Sequence, residues 1–374
     1  TIDLKTLNSK TRVEIYNVAQ QATNQVVRQD RGGIVELEHL NKKGFWKLVC
    51  QSLQVPETVK EEKRQGVKET ELILGFPLRA DGSADTTTVQ NVFAYLPTRP
   101  YGFKFIIQGD FLVPSSREDI HKDKPWNRWI CDNIASVFLK AVDEFKEDEN
   151  LKKTFYNYIP RHEEIRDEFF HPVVQKIHNA LQAAQCILAE SEVWLKPDQV
   201  LRADNYIQAL ISNDELKRIF NKEYISSEIR VDGPILTALE VEAFGVIHLK
   251  QLLQDAEWLK RQSDEWFIRL YSYLNNPGLT KTLGTLKIIR LENNELTSIS
   301  DGPVFFPFDE KANYGFEHEL RIVKRTILES EDEREKGAVS NFLKTIGVQP
   351  ASPDEIIENH ILPIYESTDE SSNW

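Results

Sequence analysis

The chain has 374 residues, 59 acidic and 46 basic, with a formal net charge of -13 at pH 7. That length bounds two or three domains, and the acidic balance disfavours nucleic-acid phosphate backbones as partners. Cys50, Cys131 and Cys186 lie far apart without metal-ligand spacing, which suits buried fillers of a reduced cytoplasmic chain.

No apolar run approaches the roughly 20 residues of a membrane span. The polar start Thr1-Ile-Asp-Leu-Lys5 is no signal peptide. With 19 Phe and 7 Trp but no Met, the chain reads as an excerpt of a longer protein.

Residues 1 to 30 mix apolar and polar positions without strong alternation, and Gly32-Gly33 ends the segment. Ile34 to Glu38 alternates like a half-buried strand, and Phe45 to Cys50 forms a second. Lys60 to Arg64 suits a solvated loop or helix. Glu71 to Leu78 reads as a buried strand, followed by a turn at Asp81-Gly82-Ser83. Val92 to Leu96 is a strand that reverses through Pro97, Pro100 and Gly102 into Phe103 to Ile107, an expected antiparallel pair. Trp126 to Phe145 repeats apolar residues at helical spacing.

From residue 151 onward the pattern is mainly helical: Phe170 to Ala189, Tyr206 to Phe220 and 236 to 275, with a short strand at Val193 to Pro197. Leu286 to Glu292 and Gly302 to Pro307 read as strands flanking a turn at Asn293-Asn294. Leu320 to Lys324 is strand-like, Glu329 to Lys336 is a charged run, and a last helix falls near Pro353 to His360. The tail from Glu366 reads as disordered.

The chain has no Gly-x-Gly-x-x-Gly, no Gly-x-x-x-x-Gly-Lys-Ser/Thr, no His-Glu-x-x-His, no Gly-x-Ser-x-Gly and no Cys-x-x-Cys, so autonomous enzyme chemistry is unsupported. His162, His171 and His178 lie close in sequence beside Glu163, Glu164 and Glu168, but lack tight ligand spacing; scattered core or surface histidines are the commoner case, and no metal site is assigned. Trp194, Trp258, Trp266, Phe267, Tyr271 and Tyr273 offer either a client surface or a core, and helical spacing favours core.

One loop stands out. Asp110-Phe-Leu-Val-Pro-Ser-Ser-Arg117 places a guanidinium after a strand, with Pro114 restricting the backbone and two hydroxyl residues before it. Arginine matches phosphate oxygens in a bidentate fork and can stabilise charge that develops in phosphoryl transfer. On spacing alone, a surface pair of Arg117 with Asp110, Glu118 or Asp119 is the favoured explanation.

Several motifs occur in order: Val92-Phe-Ala-Tyr-Leu-Pro-Thr98, Gly102-Phe-Lys-Phe-Ile-Ile-Gln-Gly-Asp-Phe111, Ser116-Arg117, Trp126-Asn127-Arg128-Trp129, Val193-Trp-Leu-Lys-Pro197, Glu265 to Leu274 and Leu286 to Glu292. Together, over roughly residues 70 to 310, they resemble the sacsin family, downstream of its heat-shock-ninety-like GHKL (histidine-kinase-like) ATPase module. Val113-Pro-Ser-Ser-Arg-Glu118 also resembles the heat-shock-ninety middle-domain loop that supplies an arginine to the ATP γ-phosphate, with one fewer residue between proline and serine.

The resemblance implies an α+β chain: an α/β transducer-like domain over residues 1–150, a mostly helical sacsin-repeat-like domain with a small sheet over 151–310, a C-terminal α/β extension over 311–366 and a disordered tail over 367–374. It implies Arg117 as the catalytic, phosphate-sensing residue, with Ser115 and Ser116 shaping the nucleotide contact. The nucleotide-binding pair of this superfamily, Glu-x-x-x-Asn followed by Asp-x-Gly-x-Gly, is absent: the chain has no Asp-x-Gly-x-Gly, and its Glu355-Ile-Ile-Glu-Asn359 stands alone near the end of the sequence. ATP and Mg2+ would therefore be held mainly by an upstream domain. The implied function is a non-autonomous middle region that couples ATP binding to conformational change in a chaperone-like or defence-complex setting. Its partners would be the upstream domain and a protein client, with homo-oligomerisation open. The alternative is an interaction module of a degenerate ATPase.

Overall fold

The uncharged run Leu72-Ile-Leu-Gly-Phe-Pro-Leu78 is buried along its whole length and forms the middle of the main sheet. An apolar run without alternation is what a strand covered on both faces requires. The computed structural model describes residues 12–17, 22–31, 33–39, 42–59, 61–116, 118–308, 320–352, 354, 357–358 and 362. Their packing divides into two compact units, Thr1–Arg202 with Phe220–Glu242, and Ala203–Ile219 with Ala243–Trp374.

The first unit carries β1 (Arg12–Asn17), β2 (Ala22–Arg31), β3 (Ile34–His39), β4 (Lys42–Gln54), β5 (Glu69–Leu78), β6 (Asn91–Ala94), β7 (Leu96–Pro100) and β8 (Ile106–Gln108). They form one sheet in the order β1-β2-β3-β4-β5-β8-β6-β7. Neighbours are antiparallel except β6 and β8, which are parallel. The register lines up Val49, Leu74, Ile107 and Val92 across four strands, all buried.

Over this row lies α1 (Pro125–Phe145), whose Ile130, Ile134, Val137, Phe138, Ala141, Val142 and Phe145 are sealed from solvent. Phe76 is the hub, its ring 4.9 to 5.8 Å from those of Phe105, Phe138, Phe145 and Tyr158. Then come α2 (Leu151–Thr154) and α3 (His171–Ala183), which packs on α1, so packing continues across residue 150. Further along, β9 (Ile187–Leu188) pairs antiparallel with β10 (Trp194–Leu195), and β11 (Val200–Arg202) runs parallel to β12 (Glu223–Tyr224).

The remaining elements are α4 (Asn205–Leu210), α5 (Asn213–Phe220), α6 (Gly233–Ala238), β13 (Glu242–Ala243), α7 (Val246–Leu253), α8 (Ala256–Lys260), α9 (Asp264–Leu274), α10 (Pro277–Leu283), β14 (Ile289–Arg290), β15 (Leu296–Thr297) and α11 (Glu333–Ile346). In the second unit α9 and α11 share a core, with Tyr271 and Phe342 stacked at 5.3 Å. The buried Arg290 lies over the Phe267 ring and 3.3 Å from Asp264, which also holds Lys324 at 2.8 Å and the Thr326 hydroxyl at 2.6 Å. Pairing offsets the desolvation of that guanidinium.

The fold is α+β, as the sequence implies, but several elements need correction. Residues 92–96 do not pair antiparallel with 103–107. Tyr95, at φ 63°, reverses the chain inside the run, so β6 pairs with β7 and β8 returns parallel to β6. Pro97 and Pro100, lacking N–H donors, sit on the outermost strand, where none is needed.

The long helices are also broken. α3 stops at Ala183; Ser212 and Glu215 form a reciprocal cap that separates α4 from α5; and Asp255 and Ser263 cap fresh starts at α8 and α9. Around Asn293-Asn294, β14 pairs with β15, while Phe305 bridges Ile322 and Gln349 instead. β1, β2 and α11 were not legible as elements.

Cys131 and Cys186 are buried, and burial pushes the Cys186 thiol up to about 12. Cys50 is exposed, contrary to its reading as a filler, because it lies on the face of β4 opposite buried Val49. Among the described residues no helix is long and apolar enough to cross a membrane. The tail from Glu366, and most of the helix expected near Pro353 to His360, lie outside the described residues.

Candidate functional site

The loop after β8 is held at its neck by backbone and side chain together. Gly109 donates its N–H to Phe93 O at 3.1 Å, and His121 N–H donates to Leu112 O at 2.9 Å. Phe111, Leu112 and Ile120 are buried, whereas Ser115, Ser116 and Glu118 are exposed. The loop therefore has an anchored base and an open tip.

The first turn of α1 does the anchoring with three consecutive side chains. Trp126 Nε1 donates to Asp110 O at 2.8 Å. Asn127 Oδ1 accepts from Leu112 N–H, and its Nδ2 donates to both Leu112 O and His121 O, all at 2.8 Å. Arg128 Nε donates to Lys122 O at 3.2 Å. Pro125 begins the helix, where its missing N–H costs nothing. The Trp126 ring lies tilted against that of Trp129 at 5.4 Å and is fully buried, as is Asn127.

Charges surround the neck. Arg64 forms a bidentate pair with Asp110, Nε to Oδ2 and Nη2 to Oδ1, both 2.6 Å; this pairing raises the guanidinium's pKa, although burial opposes it. Asp119 Oδ1 accepts from Tyr101 Oη at 2.5 Å and from Ile120 N–H at 2.8 Å, while Arg99 Nη2 lies 3.0 Å from Oδ2. Burial works against the Asp119 carboxylate, but Tyr101, the Ile120 N–H, Arg99 and Lys122 together hold it below its ordinary pKa. Burial, then the Asp119 contact, pushes Tyr101 up to about 12.

Arg99 and Lys122 also converge on Asp167 Oδ2, at 2.5 and 2.6 Å, and the Arg99 guanidinium sits 5.0 Å above the Tyr101 ring. Gly102, at φ 117°, lets the chain pass the Glu164 carbonyl, whose oxygen a Cβ would meet at 2.0 Å.

Of the residues singled out in the sequence, Ser115 and Ser116 stand at the exposed tip, and Arg117 lies outside the described residues. Asp110 and Asp119, two acids of the surface-pair reading, are engaged by Arg64 and by Tyr101 with Arg99. The structure does bring the histidines together: the His162 ring is 5.6 Å from His171 and 6.1 Å from His178. His178 Nε2 faces Pro160 O at 2.7 Å and His171 Nε2 faces Ile165 O at 3.1 Å, so both nitrogens carry protons and donate. Glu163 and Glu164 pair with Arg161, and Glu168 is exposed. Among the described residues no group of three or more His, Cys, Asp or Glu is arranged to hold a metal ion.

Trp258, Trp266, Phe267 and Tyr271 are core; Trp194 and Tyr273 are half-buried. Sequence reasoning missed Arg64, Arg99, Tyr101 and Asp167 entirely. The signal that was available is the Trp126-Asn127 pair, a polar residue at the start of a strongly apolar helix.

No protein-family model matches the chain, and no solved structure matches it. Among curated proteins it is similar to Protein NO VEIN of Arabidopsis thaliana, 31% identical over 348 residues. That similarity covers 81% of this chain, which spans 13% of the relative's length.

Proposed function

We propose that this chain is the coupling segment of a larger sacsin-like ATPase with a heat-shock-ninety-like GHKL nucleotide domain. The loop from Asp110 to Lys122 presents Arg117, flanked by Ser115 and Ser116, to the γ-phosphate of ATP held with Mg2+ by that preceding domain. The observation that carries this reading is a loop fixed at its neck by buried hydrogen bonds while its hydroxyl-bearing tip is open, next to two acids that already have other cationic or hydroxyl partners.

A preorganised donor stabilises developing charge on a transferring phosphoryl group without reorganising at the moment of reaction. A cation contributed across a domain boundary also makes closure depend on the γ-phosphate, so ATP and ADP favour different arrangements. That difference is what would drive a protein client or partner.

Amide hydrogen exchange on the full-length protein tests the nucleotide contact. Residues 115–118 gain protection with a non-hydrolysable ATP analogue and not with ADP. Equal exchange under both conditions would favour the interaction-module alternative.

A further inference from the structure

We propose that Asn127 is a positioning residue for the Arg117 loop, with Trp126 and Arg128 completing a three-residue staple; the proposal deepens the phosphate-sensing reading above and rests on it. Consecutive helical residues point about 100° apart, so residues 126 to 128 fan across the neck. They reach Asp110 and Leu112 on one stem and His121 and Lys122 on the other.

Asn127 is the chemically constrained member. Its amide meets both the N–H and the C=O of Leu112, as a neighbouring strand would, and its second Nδ2 hydrogen reaches His121 O. Aspartate has no hydrogens for the two carbonyls, and leucine would strand the Leu112 N–H without its acceptor. At 0% exposure no water replaces the lost partner easily. With both stems tied to α1, the neck is fixed before nucleotide arrives, which spares those residues the entropy of ordering during closure.

The test uses the full-length protein with Asn127→Ala, Arg117→Ala and the double substitution. Exchange of the Leu112 and His121 amides and steady-state ATP turnover are read side by side. Expected for Asn127→Ala are neck amides exchanging about tenfold or more faster, a kcat lowered by about tenfold, and an ATP KM within about twofold of wild type. The double variant falls no further than Arg117→Ala, because both changes remove one function.

Unchanged neck exchange, or losses that multiply in the double variant, overturns the proposal. If Asn127→Ala does not fold, Trp126→Phe replaces it: an aromatic ring stays, the bond to Asp110 O and part of the indole's packing are lost, and a smaller kcat loss at constant KM is expected, full turnover being the contrary result. Wild-type turnover in Arg117→Ala would overturn the phosphate-sensing reading and the catalytic consequence of Asn127. Neck exchange would still decide whether Asn127 holds the loop.

Discussion

Gly102 has room for a hydrogen and nothing larger, since a Cβ would meet the Glu164 carbonyl oxygen at 2.0 Å and the backbone sits at φ 117°. Gly102→Ala is expected to destabilise the protein by about 3 kcal/mol or more, from strain and clash together; a wild-type melting temperature would contradict this. His178 sets a pH dependence. Burial, outweighing its bond to Pro160 O, holds its pKa below the ordinary 6.5. A group that binds its proton more weakly when folded contributes stability that is present above its unfolded value and lost as pH falls through the folded one. Melting temperature should therefore decline as pH drops below about 6.5, and His178→Gln should flatten that decline; an unchanged slope in the variant would refute the assignment. At this scale the sequence showed Ser115, Ser116 and the Trp126-Asn127-Arg128 string, which are contiguous. It could not show Arg64, because its partner Asp110 lies 46 residues away and only the sheet brings the two together.

The elements follow from patterns that are local. β5 was legible because an uncharged run can only be a strand or buried helix segment and its length favours a strand; α1 was legible from its apolar spacing. Phe76, fully buried among four rings, joins the two, so Phe76→Ala is expected to cost about 3–5 kcal/mol. Chemical denaturation checks it, and a loss below about 1 kcal/mol would mean that the hub is not where the core sits. The misreadings have equally local causes. A non-glycine residue at positive φ, Tyr95, turned one expected strand into a hairpin. Side-chain caps at Ser212, Asp255 and Ser263 cut helices that apolar spacing alone would have run together. α11 hides behind its charged start, where Asp332 caps it with a bond from Arg334 N–H at 2.8 Å, and Gly347 at φ 109° ends it.

At the scale of the molecule, the first unit contains the whole loop and its supports: the sheet that delivers Gly109, the helix that staples the neck, and the segment from Tyr158 to Asp167 that meets Gly102 and Arg99. α3 on α1 ties that segment to the sheet, a contact between residues too distant for any pattern to announce. On the proposed reading the function belongs to a larger assembly, in which the loop anchored at its neck by α1 completes a nucleotide site held by another domain. Steady-state ATP turnover of the full-length protein, compared between wild type and Arg117→Ala, tests this most directly. The expected result is a fall in kcat of about tenfold or more with nucleotide affinity retained; turnover equal to wild type would contradict a phosphate-sensing role for the loop.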